Sequence, residues 1–436
     1  MRIAVIGGGI AGLSAAYELL KAGQEVHLFE RSNFLGGQVV TIPLYGTPIE
    51  LAYHHLFTSD VVMQELMAEL GIIDKLEWYP SKVGWFKGGK IYPFVTPMDL
   101  LRFKPLRPWN RLRLGLVVLF LQRYKNWKAL EKTTATLWMR KWAGNNAYEQ
   151  VWRPLLKGKF GTRHEDISMA WLWGKIHLRT TSRSSINKEV LGYPTGSFKI
   201  IVDALEKAIR DMGGHIHLGA SIEKIEARTS PSGELTAVGI RTGEGLQEFE
   251  KIISTIPSNR FLDIAPPVGK AYEEKLRSGR YQGALVMLMT LHNKLSDYYW
   301  LNIGEEGFPF VGLIEHTNLV PKEWYGGKHV LYISNYLSTE DYYWQLGKEE
   351  LLEAYIPFLQ RVNPEFERSW IDSYQVFREA AAQPIVPPNY SQRIPEMQTP
   401  VKNLILANTT QIYPQDRGTN YSVDLGRKAA RLALES

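Results

Sequence analysis

The sequence predicts an α/β chain of two domains, in which a discontinuous, Rossmann-like parallel-sheet domain is interrupted by a second, α+β domain. Three observations predict it. A strand, a glycine turn, a helix and a second strand are packed into the first thirty residues. An amphipathic helix and a group of short strands recur between residues 199 and 257. A buried-type strand and a final helix then close the chain beyond residue 403. With 436 residues the chain has room for about two or three domains. The expected division assigns 1–90, 191–260 and 395–436 to the first domain, and 91–190 and 261–394 to the second.

The elements follow in order. Arg2 to Ile6 is β-branched and predicts a strand. Ala11 to Lys21 is rich in alanine and leucine and predicts a helix, stopped by Gly23. Glu25 to Phe29 predicts a second strand ending at Glu30, and Gly36-Gly37 opens a loop. Leu56, Val61, Val62, Leu66 and Leu70 have helical spacing over 55–70. Gly84 to Pro97 alternates glycine with aromatics and predicts hairpin strands over a pocket. A basic, aromatic block then carries helical periodicity through Trp142, until Pro154 and Gly158 to Gly161 break it. Residues 162–190 are polar with tryptophans interspersed, and Gly192 to Gly196 form a turn. Lys199 to Arg210 predicts an amphipathic helix capped by Gly213-Gly214. Strands are expected at His215–Leu218 and Ile222–Glu226, a hairpin through 230–250, and a strand from Lys251 to Ile256 that Pro257 stops. Residues 271–384 alternate between strands and helices without a motif. Asn403 to Ala407 reads as a buried strand, followed by a polar loop and a helix from Tyr421 to Leu434.

Composition excludes several chemistries. Apolar residues are 44% and charged residues 22%, which is ordinary globular usage. There is no cysteine, so disulfides, thiolate nucleophiles, cysteine-ligated zinc and iron–sulfur clusters are ruled out. No apolar run approaches the roughly 20 residues that span a bilayer; the longest is Leu114 to Leu121. Residues 1–20 have only Arg2 as a basic n-region, and their spaced glycines fit a nucleotide turn better than a signal peptide. The expected location is cytoplasmic, with peripheral membrane contact as an option.

Gly7-Gly8-Gly9-Ile10-Ala11-Gly12 satisfies GxGxxG. Gly7 permits the tight turn, Gly9 lets the backbone approach a pyrophosphate, and Gly12 lets helix and strand pack closely. The amides of Ile10, Ala11 and Gly12 open a helix and present positive charge to phosphate. Glu30 stands 18 residues beyond Gly12, where a carboxylate accepts from an adenosine ribose, with Arg31 beside it. The bland alternative is a glycine-rich turn that merely begins an α/β domain. NAD and FAD use the same turn, and composition does not separate them.

The run from Arg2 to Gly37 resembles the opening of the glutathione-reductase-type FAD-binding enzymes. It is similar in particular to the flavin amine oxidase, protoporphyrinogen oxidase and carotenoid desaturase superfamily. The resemblance implies FAD held by Gly36-Gly37 across the pyrophosphate. Members often carry Arg after that pair; here Gln38 stands instead. Tyr193 to Phe198 resembles the turn returning from the substrate domain. Ser221 to Ile225, with Ile222, resembles the segment that holds adenine, and Lys251 to Pro257 resembles the apolar strand before a Thr-x-Pro turn. Asn403 to Ala430 resembles the closing strand, loop and helix that face the flavin. The superfamily usually has Gly-Asp or Gly-Glu at that strand end, and here Ala407-Asn408 replaces it. Asp416, Gly418, Thr419, Asn420 and Tyr421 are the expected polar groups at the flavin end, and the helix beginning near Thr419 offers its dipole to the pyrimidine. Trp152 to Gly161 also resembles a segment of protoporphyrinogen-oxidase-like members, with simple packing as the competing explanation.

The resemblance implies an oxidoreductase taking hydride from a C–H bond of an amine, porphyrinogen or polyene-like lipid to flavin N5, reoxidised by oxygen or another acceptor. No second GxGxxG follows residue 37, so a separate nicotinamide-binding domain is not expected. Two alternatives share the cofactor segments: a non-redox mutase resembling UDP-galactopyranose mutase, and a non-catalytic prenyl-lipid escort protein. No catalytic side chain is assigned. His215-x-His217 puts two rings on one side of a strand without a third ligand at recognisable spacing, and no metal is expected. Tyr298-Tyr299-Trp300 and Tyr342-Tyr343-Trp344 are candidates for a substrate pocket wall, and ordinary core packing explains them equally well. Between Met98 and Lys141 there are eleven Lys or Arg against two acids, with Leu112, Leu116, Leu119 and Phe120 at helical spacing. That block reads as a membrane-facing amphipathic surface or as a tunnel-side helix with a solvated basic face. It matches no base-reading module, so nucleic acid is not an expected partner. The chain is expected as monomer or homodimer, and any covalent flavin link would need histidine or tyrosine.

Overall fold

The computed structural model describes residues 1–181, 183–185 and 188–435. Ser182, Ile186 and Asn187 of the expected polar segment 162–190, and Ser436, lie outside the described residues.

The first sheet is five-stranded and parallel. Its spatial order is His215–His217, Glu25–Phe29, Arg2–Ile6, Lys251–Ser254 and Leu404–Leu406. A parallel sheet is covered on both faces, so its strands are apolar throughout. The period of two assigns the faces. Ile3 and Val5 pack with Leu13, Ala16 and Ala429 of the helices Ile10–Lys21 and Thr419–Glu435. Ala4 and Ile6 pack with Ile225, Ala237 and Ile240 of a three-stranded antiparallel sheet, 222–248. The sheet therefore assembles from both ends and the middle of the chain.

The second sheet has seven strands, in the order Ile371–Pro384, Tyr281–Leu291, His329–Leu337, Gly312–Glu315, Trp300–Ile303, Val83–Lys87 and Lys90–Pro93. In Tyr281–Leu291, Val286 and Leu288 face the core that also holds Ile3 and Val5, while Leu285, Met287 and Met289 face the helix Lys348–Val362 with Leu351, Leu352 and Tyr355. The hairpin Val83–Pro93 straddles the expected boundary at residue 90; its first strand pairs with Trp300–Ile303, and the whole hairpin goes with the seven-stranded sheet. The helical layer from residue 97 to 181 contributes Phe103, Leu114 and Trp173 to a core that it shares with Trp85 of the second sheet.

Three local expectations are corrected. The basic block is not one periodic run. It forms the helices Pro97–Arg102, Pro108–Arg123, Trp127–Leu130 and Ala135–Trp142. Pro97 and Pro108 open their helices, and Asn126 and Thr134 accept backbone N–H bonds as caps. Pro154 does not break the chain either. It follows a π-helical turn, Tyr148–Trp152, and the chain runs on through it as the helix Arg153–Phe160. The helix expected over 55–70 is shorter, Val61–Glu69, because Leu56 to Asp60 form the loop that reaches the site below.

Candidate active site

The glycine turn leaves the first strand and enters Ile10–Lys21 with Gly9 at the N-cap in extended conformation, and no side chain caps the helix. The first amides of the helix are left for an external acceptor. Thr255, following the strand Lys251–Ser254, donates its hydroxyl to Ile6 O at 3.0 Å and braces the turn from below. Glu30 accepts from Gly8 N and Ser32 N, each at 2.8 Å, so its carboxylate is fixed beside the turn, with Arg31 exposed next to it.

Gly36 closes on this turn through Gly36 N to Gly8 O at 2.9 Å and a parallel bridge to Gly9. Gly37 has φ +57°, and a Cβ there would lie 3.1 Å from Gly9 Cα. A Cβ on Gly9 itself would meet nothing nearer than 3.9 Å. Two backbones without side chains thus face each other across a gap beside uncapped amides, which fits a dinucleotide pyrophosphate. Ile222 begins the antiparallel sheet on the same side of the domain, after the strand whose His217 O accepts from Glu30 N.

Gln38, next in the chain, carries this cradle to a cavity of about 1040 Å³. Most of the wall is apolar, from Trp85, Phe94, Leu156, Val286, Trp300 and Phe377. The polar groups gather at the end that includes Gln38. Arg417 donates to Gln38 Oε1 at 3.2 Å, to Gln383 Oε1 at 3.2 Å and to the Tyr336 hydroxyl at 3.3 Å. Asp416 accepts from Lys159 at 2.6 Å, from Lys175 at 2.7 Å and from Trp171 Nε1 at 3.3 Å. Burial alone would raise this carboxyl, but the two ammonium groups overcome it and hold the group far below the usual carboxylate range. Tyr53 reaches Ser334 Oγ at 3.2 Å, and burial pushes its phenol well above the ordinary value.

His54 lines the same cavity. Its Nδ1 lies 2.6 Å from Ala52 O, which places the hydrogen there and leaves Nε2 as the ring's acceptor. Burial pushes its pKa down to about 4, so the imidazole is neutral at ordinary pH. Asp60 also faces the cavity, and burial raises it to about 6.

The remaining expected residues divide. Gly418, Thr419, Asn420 and Tyr421 all line the cavity at the start of Thr419–Glu435. Asn420 Oδ1 accepts from Met63 N at 2.9 Å and so ties that helix start to Val61–Glu69. Asn408 is buried, with its amide committed to Ile256 O, Ser258 Oγ and Thr410 N, and it braces the turn after the closing strand. Trp300 lines the cavity, and Tyr299 donates to or accepts from His55 at 2.9 Å behind it. Tyr342-Tyr343-Trp344 does not reach the wall; Tyr343 packs on Tyr355 beyond the second sheet. His215 and His217 stack with His27 at the sheet edge. Lys159, Lys175, Arg417, Tyr53 and Tyr336 were not singled out as site residues by the sequence. The only local signal was the Asp416-Arg417 pair ahead of the last helix.

The far end of the cavity opens beside Pro108–Arg123. Trp109 is 76% exposed and Leu116 68% exposed while both line the opening, with Leu101, Leu112 and Leu119 around them. Among the described residues no helix is long and apolar enough to cross a membrane.

A family model for flavin-containing amine oxidoreductases matches residues 10–434. Coproporphyrinogen III oxidase of Staphylococcus aureus is 25% identical over 258 residues, 51% of this chain and 54% of that protein. The 15-cis-phytoene desaturase of Glycine max is 27% identical over 247 residues, 52% of this chain and 42% of that protein. The chain spans about half the length of the curated relatives it matches. The crystal structure of reduced UDP-galactopyranose mutase covers all of this chain and 95% of that one with a TM-score of 0.76 at 16% identity, a likeness of fold.

Proposed function

The chain belongs to the flavin-containing amine oxidoreductase family, with FAD as its cofactor, and from that premise we propose that it is an FAD-dependent oxidoreductase acting on a C–H bond of a lipophilic amine, porphyrinogen or polyene-like substrate. The observation that carries this reading is the continuity from glycine cradle, through Gln38 and Arg417, into a large apolar cavity. The amides of Ile10, Ala11 and Gly12, opposite Gly36-Gly37, would hold the pyrophosphate, Glu30 the ribose, and the segment at Ile222 the adenine. Gln38, Gly418, Thr419, Asn420 and Tyr421 would border the flavin end. Bound there, FAD supplies the hydride acceptor, with oxygen or another acceptor taking the electrons onward. The chain's own residues orient the substrate and exclude water. Trp85, Trp300 and Phe377 form the apolar walls, the start of Thr419–Glu435 presents its positive end, and His54 offers a neutral acceptor to an N–H or O–H of the substrate.

The test is an absorbance spectrum of purified protein followed by an anaerobic substrate screen. Bound isoalloxazine that is bleached by one of an amine, a porphyrinogen or a polyene is the expected result. Bleaching separates this reading from a sugar-nucleotide mutase and from a non-catalytic prenyl-lipid carrier, neither of which consumes a C–H donor. Protein that releases no flavin on denaturation, and takes none up as apoprotein, removes the proposal.

The exposed leucines and Trp109 at the cavity mouth, flanked by Arg107, Arg111 and Arg113, support peripheral contact with an anionic membrane surface through this helix. Co-sedimentation with anionic liposomes, weakened by added salt, is the expected outcome. Equal recovery in the supernatant with and without liposomes rules it out.

A further inference from the structure

Arg417 is a partly buried cation with only neutral partners, as are Arg378 and Arg111, which donate to backbone carbonyls; Arg417 differs in standing at the polar end of the cavity. Arg427, on the last helix, touches the carboxylates of Glu18, Glu65 and Glu69. Arg417 touches none. Its three partners, Gln38, Gln383 and Tyr336, are all neutral. Among the described residues it forms no ion pair. The carboxylate adjacent to it in sequence, Asp416, is turned away to Lys159 and Lys175.

The neutral partners are themselves fixed. Gln38 Nε2 donates to Ala381 O at 3.4 Å, and Gln383 Nε2 donates to Pro384 O at 3.1 Å. Both amides therefore present oxygen to the guanidinium. Three of about five guanidinium N–H groups are used this way, which locks the plane and leaves donors over. Lys159 lies over the ring of Tyr336 at 5.5 Å, so a second positive charge stands behind the same phenol. A guanidinium without a carboxylate, at the polar end of an apolar cavity, is stabilised by an anion delivered into that cavity.

Resting on the proposed function, we propose that Arg417 receives the acid group, a carboxylate or phosphate, of an amphiphilic substrate whose apolar body lies along the cavity toward Leu112 and Leu116. This narrows the substrate class. Asp60, Glu189 and Glu379 also line the cavity, but none of them pairs with Arg417; an ammonium head placed beside Arg417 is repelled by it, and a pure hydrocarbon leaves the guanidinium without an anion. An apolar body that carries an ionised acid group satisfies both ends of the cavity.

The test is isothermal titration calorimetry of the holoprotein with laurate, dodecanol and dodecylamine, which share a chain and differ in the head. A charge-assisted hydrogen bond is worth about 1.5–3 kcal/mol, or roughly 10–150-fold in affinity. Laurate is expected to bind at least tenfold more tightly than either analogue. Arg417→Gln is expected to remove that margin, and Arg417→Lys to keep part of it. Dodecanol binding as tightly as laurate overturns the proposal, and this comparison needs no variant. Full laurate affinity in Arg417→Gln, with FAD affinity reduced instead, also overturns it and assigns the guanidinium to the cofactor. Calorimetry reads the head group without relying on flavin colour. Flavin content measured on the same samples therefore shows separately whether the flavoprotein reading has failed.

Discussion

Gly12→Val is expected to give protein that carries no FAD after desalting. A Cβ at residue 12 would lie 1.9 Å from Gly7 O and 3.0 Å from Thr255 Oγ1. Gly7 O belongs to the turn itself, so the side chain cannot be accommodated by a rotamer change elsewhere. The turn must open, or the helix Ile10–Lys21 must shift off the sheet. An overpacking cost of about 3 kcal/mol, borne by the conformation that receives the cofactor, is roughly 100-fold in FAD affinity. Gly9→Ala supplies the discriminating companion. Its Cβ has only Gly37 Cα nearby, at 3.9 Å, and its backbone is extended at φ −77°. The protein alone tolerates that methyl, so the melting temperature is expected to match that of the wild type. The methyl nevertheless stands in the gap between the two glycine segments, and FAD titration of the apoprotein is expected to show weakened binding. Gly12→Val with full flavin occupancy, or Gly9→Ala with unchanged FAD affinity, would place the pyrophosphate somewhere other than this gap.

Those glycines were legible because their requirement is local. The contacts that demand Gly7 and Gly12 arise within one turn and its bracing strand, and the gap that Gly9 keeps open lies in the same turn, so the pattern sits in six consecutive residues. The strands Arg2–Ile6 and Glu25–Phe29 were readable for the same reason. The chemical end of the cavity was not. Lys159 and Asp416 are 257 residues apart, and Arg417 and Gln38 are 379 apart. No spacing rule joins them; only the tertiary fold does. His54 and His55 adjoin in the sequence, but the property that matters, a tautomer fixed by Ala52 O inside a cavity, depends on the path of a loop that no periodicity reads. The two Tyr-Tyr-Trp clusters look alike in sequence. One has its tryptophan on the cavity wall, and the other packs behind the second sheet beside Tyr355. Gln38 in place of the arginine often found after the glycine pair reads as a lost charge in sequence. In space the charge arrives from the other terminus as Arg417, hydrogen-bonded to that same glutamine.

Asp416→Asn is expected to cost the protein about 3–5 kcal/mol of stability. The carboxylate is 5% exposed and carries two ammonium groups on one oxygen, with the Trp171 indole on the other. Asparagine keeps the shape and removes the charge, so Lys159 and Lys175 are left facing an amide in a buried site. Breaking a buried pair from one side is costly because the remaining charge stays desolvated. The melting temperature is expected to fall by about 3–5 °C. The pH dependence has a definite sign. Asp416 titrates lower in the folded chain than in the unfolded one, so its contribution is fully present above the ordinary aspartate value of about 4 and is lost progressively as pH falls below it. The gap between wild type and variant should therefore be constant from pH 8 to about 5 and narrow below about 4. A second substitution orders the two lysines. Lys159 is 16% exposed and Lys175 32% exposed, so adding Lys159→Met to the variant should restore more stability than adding Lys175→Met. A loss of less than about 1 °C for Asp416→Asn at pH 7, or equal rescue by both methionines, would mean that water already solvates this cluster. Arg417 and Gly418 follow Asp416 directly and lead into Thr419–Glu435, so a turn loosened at residue 416 displaces the groups that border the proposed flavin end. Reduced flavin retention is accordingly expected to accompany the lost stability.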